Sequence, residues 1–152
     1  LKRLRCGAVL SDVLSKLKVK WDCFNDLNIN NNTKPACYWY NNLRFDALSA
    51  ICRLLRHDIT INALMIALNC ESNVLGKLSE IGYGANVAFE LHLINNQPYV
   101  KILYAKNYAS ERRAITRLVR GCTETDEYCP LSKFISAQKA FVPTDIQKEC
   151  SI

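Results

Sequence analysis

Residues 52–69 read CRLLRHDITINALMIALN. In this stretch a short apolar run approaches a polar turn, Arg56-His57-Asp58, and a longer apolar run leaves it. A strand, a polar turn and a buried helix in that order predict an α/β unit. Ligands of such units bind outside the carboxyl ends of the strands, and here that place holds a guanidinium, an imidazole and a carboxylate. The N–H groups at the start of the following helix would also favour an anion.

The helical half of this unit has the clearer pattern. Apolar side chains recur with the spacing of one helix face, at Ile61, Leu64, Met65 and Leu68. Because the positions between them are largely apolar too, we predict a helix over about 60–69 that is buried nearly all round. A strand is predicted over about 49–55. The pattern of residues 45–55 fits either a strand or a helix, so this prediction depends on the helix that follows at 60–69.

The polar turn also has a purely structural interpretation. Asp58 or Thr60 would then be the N-cap of the helix, His57 an ordinary turn histidine, and Arg56 a side chain that points to water. A turn of three polar residues is a weak motif, so the residue types alone favour this interpretation over a functional one.

Length and composition indicate one globular domain. The chain has 152 residues, a formal net charge of +6 and 49% hydrophobic residues. The basic residues cluster at Lys16 to Lys20 and at Arg112 to Arg120, without interleaved aromatic residues, which favours a solvated surface over a nucleic-acid interface. No signal peptide or membrane-spanning run is recognised in these residues. We therefore expect a piece of a longer protein, or a mature form cut from a precursor.

The cysteines point to an oxidising compartment. There are eight of them and none forms a C-x-x-C pair, so neither a zinc ribbon nor a redox motif is indicated and no metal site is predicted. An even number spread over loops and chain ends favours disulfides. We predict a disulfide between Cys122 and Cys129, and Cys23 with Cys37 is a candidate second pair. Asn31, in Asn-Asn-Thr, is a candidate glycosylation site.

The first part of the chain predicts one amphipathic helix and a long loop. Apolar residues at helical spacing place the helix at about 8–19, with Lys16, Lys18 and Lys20 near its carboxyl end, where the helix dipole favours cations. Residues 21–43 lack a clean period and are rich in asparagine, so we predict a surface loop there.

The second part of the chain predicts a β-hairpin followed by a short helix. Residues 87–93 and 99–104 alternate between apolar and polar, and Asn95 to Pro98 would form a loop of four or five residues. His92 falls on the first strand and is interpreted as a surface or edge histidine. Pro130 would occupy the first position of the short helix. Three strands would not cover the helix at 60–69, so a partner segment or second chain is expected.

The order of several motifs resembles a known family. In chain order these motifs are Leu4 to Leu10, His57-Asp58-x-Thr60, Phe89-Glu90-Leu91, Tyr99 to Tyr104, Gly121-Cys122, Cys129-Pro130-Leu131-x-x-Phe134, Val142-Pro143 and Glu149-Cys150. The series resembles the C-terminal portion of a secreted or lysosomal histidine acid phosphatase of the prostatic kind. The resemblance covers most of the chain and leaves residues 21–47 as an inserted loop in a single domain, 1–152.

The resemblance implies both a fold and a reaction. The fold would be α/β, a mixed sheet flanked by helices as in phosphoglycerate mutase-like proteins, and incomplete in these residues. The reaction would be hydrolysis of phosphomonoesters through a phosphohistidine, without a cofactor. His57 would contact the phosphoryl oxygens, Asp58 would protonate the leaving alcohol, and Arg56 would assist phosphate binding.

The sequence also departs from the family. The nucleophilic Arg-His-Gly motif is absent from these residues, so a missing N-terminal half of the same protein would supply it. Arg56 stands where the family has a small residue, and whether the chain belongs to an active enzyme stays open. The alternative is a catalytically inactive secreted relative with a binding or structural role. The expected partners are a phosphomonoester, the missing half and, as an option, a second copy in a homodimer, with no nucleic acid and no membrane span.

Overall fold

The computed structural model describes residues 2–30, 58–77, 80–123 and 127–144, without the side chains of residues 2–5 and 26–30. Four helices and four strands lie in these ranges, together with 3-10 turns at Thr116–Leu118 and Lys139–Phe141. In chain order the helices and strands are α1 (Lys2–Asn30), α2 (Asp58–Ala67), α3 (Glu71–Leu75), β1 (Asn86–Ile94), β2 (Gln97–Ala105), β3 (Arg113–Ala114), β4 (Cys129–Pro130) and α4 (Leu131–Gln138).

The fold is mixed α and β, with helices packed against an antiparallel sheet. Strand β2 lies at its centre, where it pairs with β1 along its whole length and with both β3 and β4. Phe89 of β1, Ile102 of β2 and Phe134 of α4 belong to one buried apolar cluster. The predicted strand at about 49–55, which would make the sheet mixed, lies outside the described residues.

The hairpin is confirmed, but its loop is shorter than predicted. Strands β1 and β2 each extend to the turn, which consists of Asn95 and Asn96 alone, and Leu93 lies opposite Pro98. Both asparagines have positive φ, 50° and 60°. A two-residue turn of this kind twists in the same sense as the strands, and asparagine tolerates the left-handed region. The prediction of a longer loop was wrong because Gln97 and Pro98 belong to β2.

Helix α1 is longer than the prediction for residues 8–19. It runs from Lys2 to Asn30, so residues 21–30, predicted as part of a loop, are helical. The reason is a buried stripe with helical spacing that continues past the predicted end, at Cys6, Leu10, Val13, Leu17, Lys20 and Cys23. Burial of such a stripe outweighs the weak helix propensity of asparagine. The three lysines therefore lie inside the helix, and residues 31–47 of the predicted loop lie outside the described residues.

Helix α2 is buried within the chain. The side chains of Ile61, Leu64, Met65 and Leu68 are 0% exposed, which confirms the predicted apolar helix. Helix α1 packs along α2, and both share one apolar cluster with the sheet. Within the described residues α1 thus covers much of this helix, and a contribution from a missing segment or a second chain stays a prediction. The exception is at the start of α2, where Ile59 is 79% exposed.

The central strand β2 is hydrogen-bonded along its second edge by three short segments. Strand β4 pairs at Tyr99 and Val100, and β3 pairs at Leu103 and Tyr104. Between them the N–H of Ile102 donates to Thr116 Oγ1 at 2.9 Å, and its carbonyl accepts from the Ile115 N–H at 2.8 Å.

The disulfide between Cys122 and Cys129 is confirmed. It brings β4 to the edge of the sheet, and α4 begins directly behind β4. Pro130 lies in β4, one residue before the helix, and not at its first position as predicted. Leu131 and Phe134 are buried, which confirms the apolar stripe of this helix. Cys23 is also disulfide-bonded, and its pairing with Cys37 stays a prediction.

Gly7 lies inside α1, at the point where the C-terminal segment crosses it. A Cβ atom at this position would lie 2.5 Å from the carbonyl oxygen of Phe141 and 2.7 Å from Pro143 Cδ. Real Cβ atoms do not approach other atoms so closely, so only glycine allows this contact.

We expect Gly7→Ala to lower the free energy of unfolding by about 1–3 kcal/mol, because the added methyl group overpacks the contact. In an open helix the same change would stabilise the protein by about 1 kcal/mol. Urea denaturation measures the difference, and Ser15→Ala on an exposed position of the same helix is the control. A stabilised Gly7→Ala variant would show that the two segments are not in contact.

Candidate active site

Asp58 is the first residue of α2, and its side chain is exposed. Its Oδ1 accepts a hydrogen bond of 2.7 Å from the N–H of Ile59. The structure thus places a solvent-accessible carboxylate at the amino end of the buried helix. The other two members of the predicted turn, Arg56 and His57, lie outside the described residues, as does Asn31. Their roles stay predictions.

The N-cap interpretation of the turn does not hold for the described residues. An N-cap side chain accepts a hydrogen bond from an N–H two or three residues ahead, whereas Asp58 bonds the adjacent N–H. Thr60 lies within the helix and not before it. Asp58 instead accepts an N–H within the first turn, where the helix dipole also favours a carboxylate.

The arginines of the basic cluster act as structural contacts, each at a different place. Arg113 donates to the carbonyl of Val74, at 2.9 Å, and Arg120 donates to the carbonyl of Ala67, at 3.3 Å. Both carbonyls belong to the last turn of a helix, where unpaired oxygens and the helix dipole favour a cation. Arg112 instead bonds Asn86 Oδ1 at 3.0 Å. Each of these three arginines therefore has a structural contact within the chain, and the absence of a nucleic-acid partner stays a prediction.

His92 takes part in a polar cluster that joins the disulfide ring to the sheet. Its Nε2 lies 3.1 Å from Oε2 of the buried Glu90, and its ring packs edge-on against Tyr128 at 4.9 Å. Next to it, Lys101 donates to Glu127 at 2.6 Å. This hydrogen bond raises the pKa of Lys101 and lowers the pKa of Glu127. His92 is thus held on a strand as predicted, while its contact with Tyr128 had no signal in the sequence.

The described part of the chain contains no group of three or more metal-ligating side chains. Within the same part, no helix is long and apolar enough to cross a membrane.

Comparison with known proteins gives a relationship to acid phosphatases. The chain is 24% identical over 149 residues to a protein of Caenorhabditis elegans named "Putative acid phosphatase 1". It is equally similar, 24% over 149 residues, to the protein of the same name from Caenorhabditis briggsae. No family model matches the chain. The similarity, which covers 97% of the chain, supports an acid phosphatase-like relationship.

The relatives are much longer than this chain. The alignment takes in 32% of each relative, so the chain spans about a third of the length of the curated relatives it matches. The described elements therefore correspond to part of a larger protein in those relatives.

Sequence reasoning missed a buried lysine. Lys20 is 2% exposed and lies in the buried stripe of α1, three residues beyond Leu17. Burial lowers the pKa of Lys20 to about 8, from its ordinary value near 10.5. Position 20 continues the helical spacing of the buried residues, and this spacing is visible in the sequence. The prediction of a shorter helix instead placed Lys20 near the carboxyl end of that helix.

We expect stability to depend on the protonation of Lys20. Because its pKa is lower in the folded state, the unfolded chain binds more protons between about pH 8 and pH 10.5, and the contribution of Lys20 to stability rises with pH through that window. Lys20→Met should therefore remove this rise. The difference in urea midpoint between the native protein and the variant, measured from pH 7 to 10.5, isolates this contribution.

The exposed Lys18 provides the control. Its substitution by methionine removes a lysine from the same helix without changing the buried stripe. A difference for Lys20→Met that is constant with pH would show that the ammonium of Lys20 is solvated.

Proposed function

We propose that this chain is the C-terminal part of a histidine acid phosphatase, which hydrolyses phosphomonoesters. The observation that carries the proposal is the similarity to acid phosphatase-named proteins over 97% of the chain. The exposed carboxylate of Asp58 at the start of α2 supports it, since a proton donor must reach a substrate that arrives from solvent.

Asp58 and His57 have separate roles in this proposal. A nucleophile attacks phosphorus, the bond to the ester oxygen breaks, and the leaving alkoxide takes the proton of the Asp58 carboxylic acid. His57, with help from Arg56, donates to the phosphoryl oxygens, whose negative charge must be stabilised during the transfer. Water then releases the phosphate from the nucleophile, and the Asp58 carboxylate accepts the proton of that water.

The nucleophile is proposed to come from residues outside this chain. The sequence has two histidines and no Arg-His-Gly. One is His57, already assigned to phosphate binding, and the other is His92, which Glu90 and Tyr128 hold on a strand of the sheet. In this proposal neither histidine acts as the nucleophile, so an N-terminal half of the same protein would supply it.

The proposed compartment is extracellular or lysosomal. The disulfide between Cys122 and Cys129 and the bonded Cys23 support this, because structural disulfides persist in oxidising compartments. Glycosylation of Asn31 and a homodimer accord with such a protein, and both stay predictions.

We expect the isolated chain of 152 residues not to hydrolyse an aryl phosphate at pH 5, because it lacks the nucleophile. The same chain joined to its N-terminal half should be active. Release of the aryl alcohol measures both proteins at equal concentration, and circular dichroism controls for folding of the isolated chain. Turnover by the isolated, folded chain would place the nucleophile within these residues.

In the joined protein we expect Asp58→Asn to lower kcat by about a factor of 10²–10⁴, the usual contribution of a general acid. The loss should be larger for an alkyl phosphate than for a nitrophenyl phosphate, because nitrophenolate leaves without a proton. Inhibition by inorganic phosphate should stay unchanged. Measurement of kcat for both substrates, with Asp22→Asn on the exposed surface of α1 as the control, tests this role.

Equal losses for both substrates would remove Asp58 from the role of proton donor. An unchanged kcat would remove it from the reaction altogether.

A further inference from the structure

A second candidate site lies at the opposite end of α2 from Asp58. A cavity of about 470 Å³ is formed where the end of α3 meets the end of β2 and the loop that follows it. Its lining includes Glu80, Tyr104, Lys106, Glu111 and Arg113. The volume falls within the usual range for small-molecule sites.

The buried hydroxyl of Tyr104 is the first indication of a ligand. Tyr104 is 2% exposed, and its hydroxyl is buried without a hydrogen-bond partner. Buried polar atoms in folded proteins nearly always have a partner, and an exception requires an explanation. Burial raises the pKa of Tyr104, so the hydroxyl stays protonated and remains a donor at neutral pH. A ligand in the cavity that Tyr104 lines would provide the missing acceptor.

Arg113 also lines the cavity and is positioned by the strand that pairs with Tyr104. It lies directly opposite Tyr104 in the pairing of β2 with β3, so both side chains extend from the same face of the sheet. Its Nη2 bonds the carbonyl of Val74 at the end of α3. Among the described residues this is the one hydrogen bond of the guanidinium, which leaves further N–H donors for an anionic group.

The rim of the cavity carries both signs of charge. Glu80 and Glu111 are acidic and Lys106 is basic, and all three are exposed. Within the described ranges, none of them forms an ion pair with another lining residue. Acidic and basic groups around one cavity that do not neutralise each other can each bind an opposite charge on a ligand.

The rim is also preorganised by the backbone. The Gly82 N–H donates to the carbonyl of Lys106 at 3.1 Å, and the Tyr108 N–H donates to the carbonyl of Tyr83 at 3.0 Å. These bonds fix the loop that carries Lys106 against the segment that precedes β1. A rim that is already ordered loses less conformational entropy when a ligand binds.

We propose that this cavity binds a small zwitterion, whose anionic group contacts Arg113 and the Tyr104 hydroxyl and whose cationic group contacts Glu80 or Glu111. Helix α2 has ten residues, so about 15 Å of helix separates its start at Asp58 from the end that leads to α3. The site is therefore distinct from the proposed active site and does not depend on it.

Matched probes of one carbon length test the charge requirement. Isothermal titration calorimetry of the full-length protein would compare 6-aminohexanoate with hexanoate and hexylamine, which each retain one charge. We expect 6-aminohexanoate to bind at least tenfold more tightly than either. Equal binding of hexanoate or hexylamine would overturn the zwitterion, and no binding of any probe would mean that the cavity holds water alone.

Substitutions test the named contacts. Tyr104→Phe removes only the hydroxyl and should weaken binding of 6-aminohexanoate about three- to tenfold, the value of one hydrogen bond. It should not lower the melting temperature, because the hydroxyl has no partner to lose. Glu80→Gln combined with Glu111→Gln should reduce binding to the level of hexanoate.

The matched control for the double variant is Asp22→Asn, an exposed carboxylate on α1 that does not line the cavity. Unchanged binding in both cavity variants would overturn the proposal. Phosphatase activity is not a readout here, so a failure of this proposal leaves the proposed function unaffected.

Discussion

The packing of α2 along α1, in one apolar cluster with the sheet, holds the two candidate sites in place. Its apolar face, with Ile61, Leu64, Met65 and Leu68 fully buried, cannot turn or slide without exposing large side chains to water, at a cost of about 1.5–3 kcal/mol for each. The two ends of the helix are fixed as a result. One end presents Asp58 to solvent, and the other leads to α3 and the charged cavity.

The distribution of charge shows why a positive net charge is not evidence of a binding surface. Arg113 and Arg120 neutralise the carbonyl ends of two helices, and Lys20 is buried in α1. Lys101 is engaged with Glu127. These cations lie in separate local environments, so the net charge of +6 does not by itself identify a binding surface.

Those features that rest on local periodicity could be predicted from the sequence. Helix α2 and the hairpin follow from periods of 3.6 and 2, and the disulfide follows from two cysteines that bracket a short polar ring. The length of α1 could not be predicted in the same way, because its second half combines asparagines with a stripe that includes Lys20. Burial at Leu17, Lys20 and Cys23 favours helix beyond residue 19.

The two candidate sites also differ in whether the sequence alone could predict them. Asp58 was predicted because it precedes an apolar helix and resembles a family motif. The cavity was not predicted, because contacts between positions far apart in the chain assemble it. One such contact joins Val74 and Arg113, which are 39 residues apart. No spacing in the sequence reports such a contact, and the missing partner of the Tyr104 hydroxyl is visible only after folding.

The short segments along β2 have a consequence for the behaviour of the protein in concentrated solution. An exposed strand edge is a template on which other chains add strands and aggregate. Here β4, the Thr116 hydroxyl with Ile115, and β3 occupy successive positions along one edge of β2. A foreign strand would have to displace all three, one of which is held by a disulfide, so this edge is protected against intermolecular β-sheet growth.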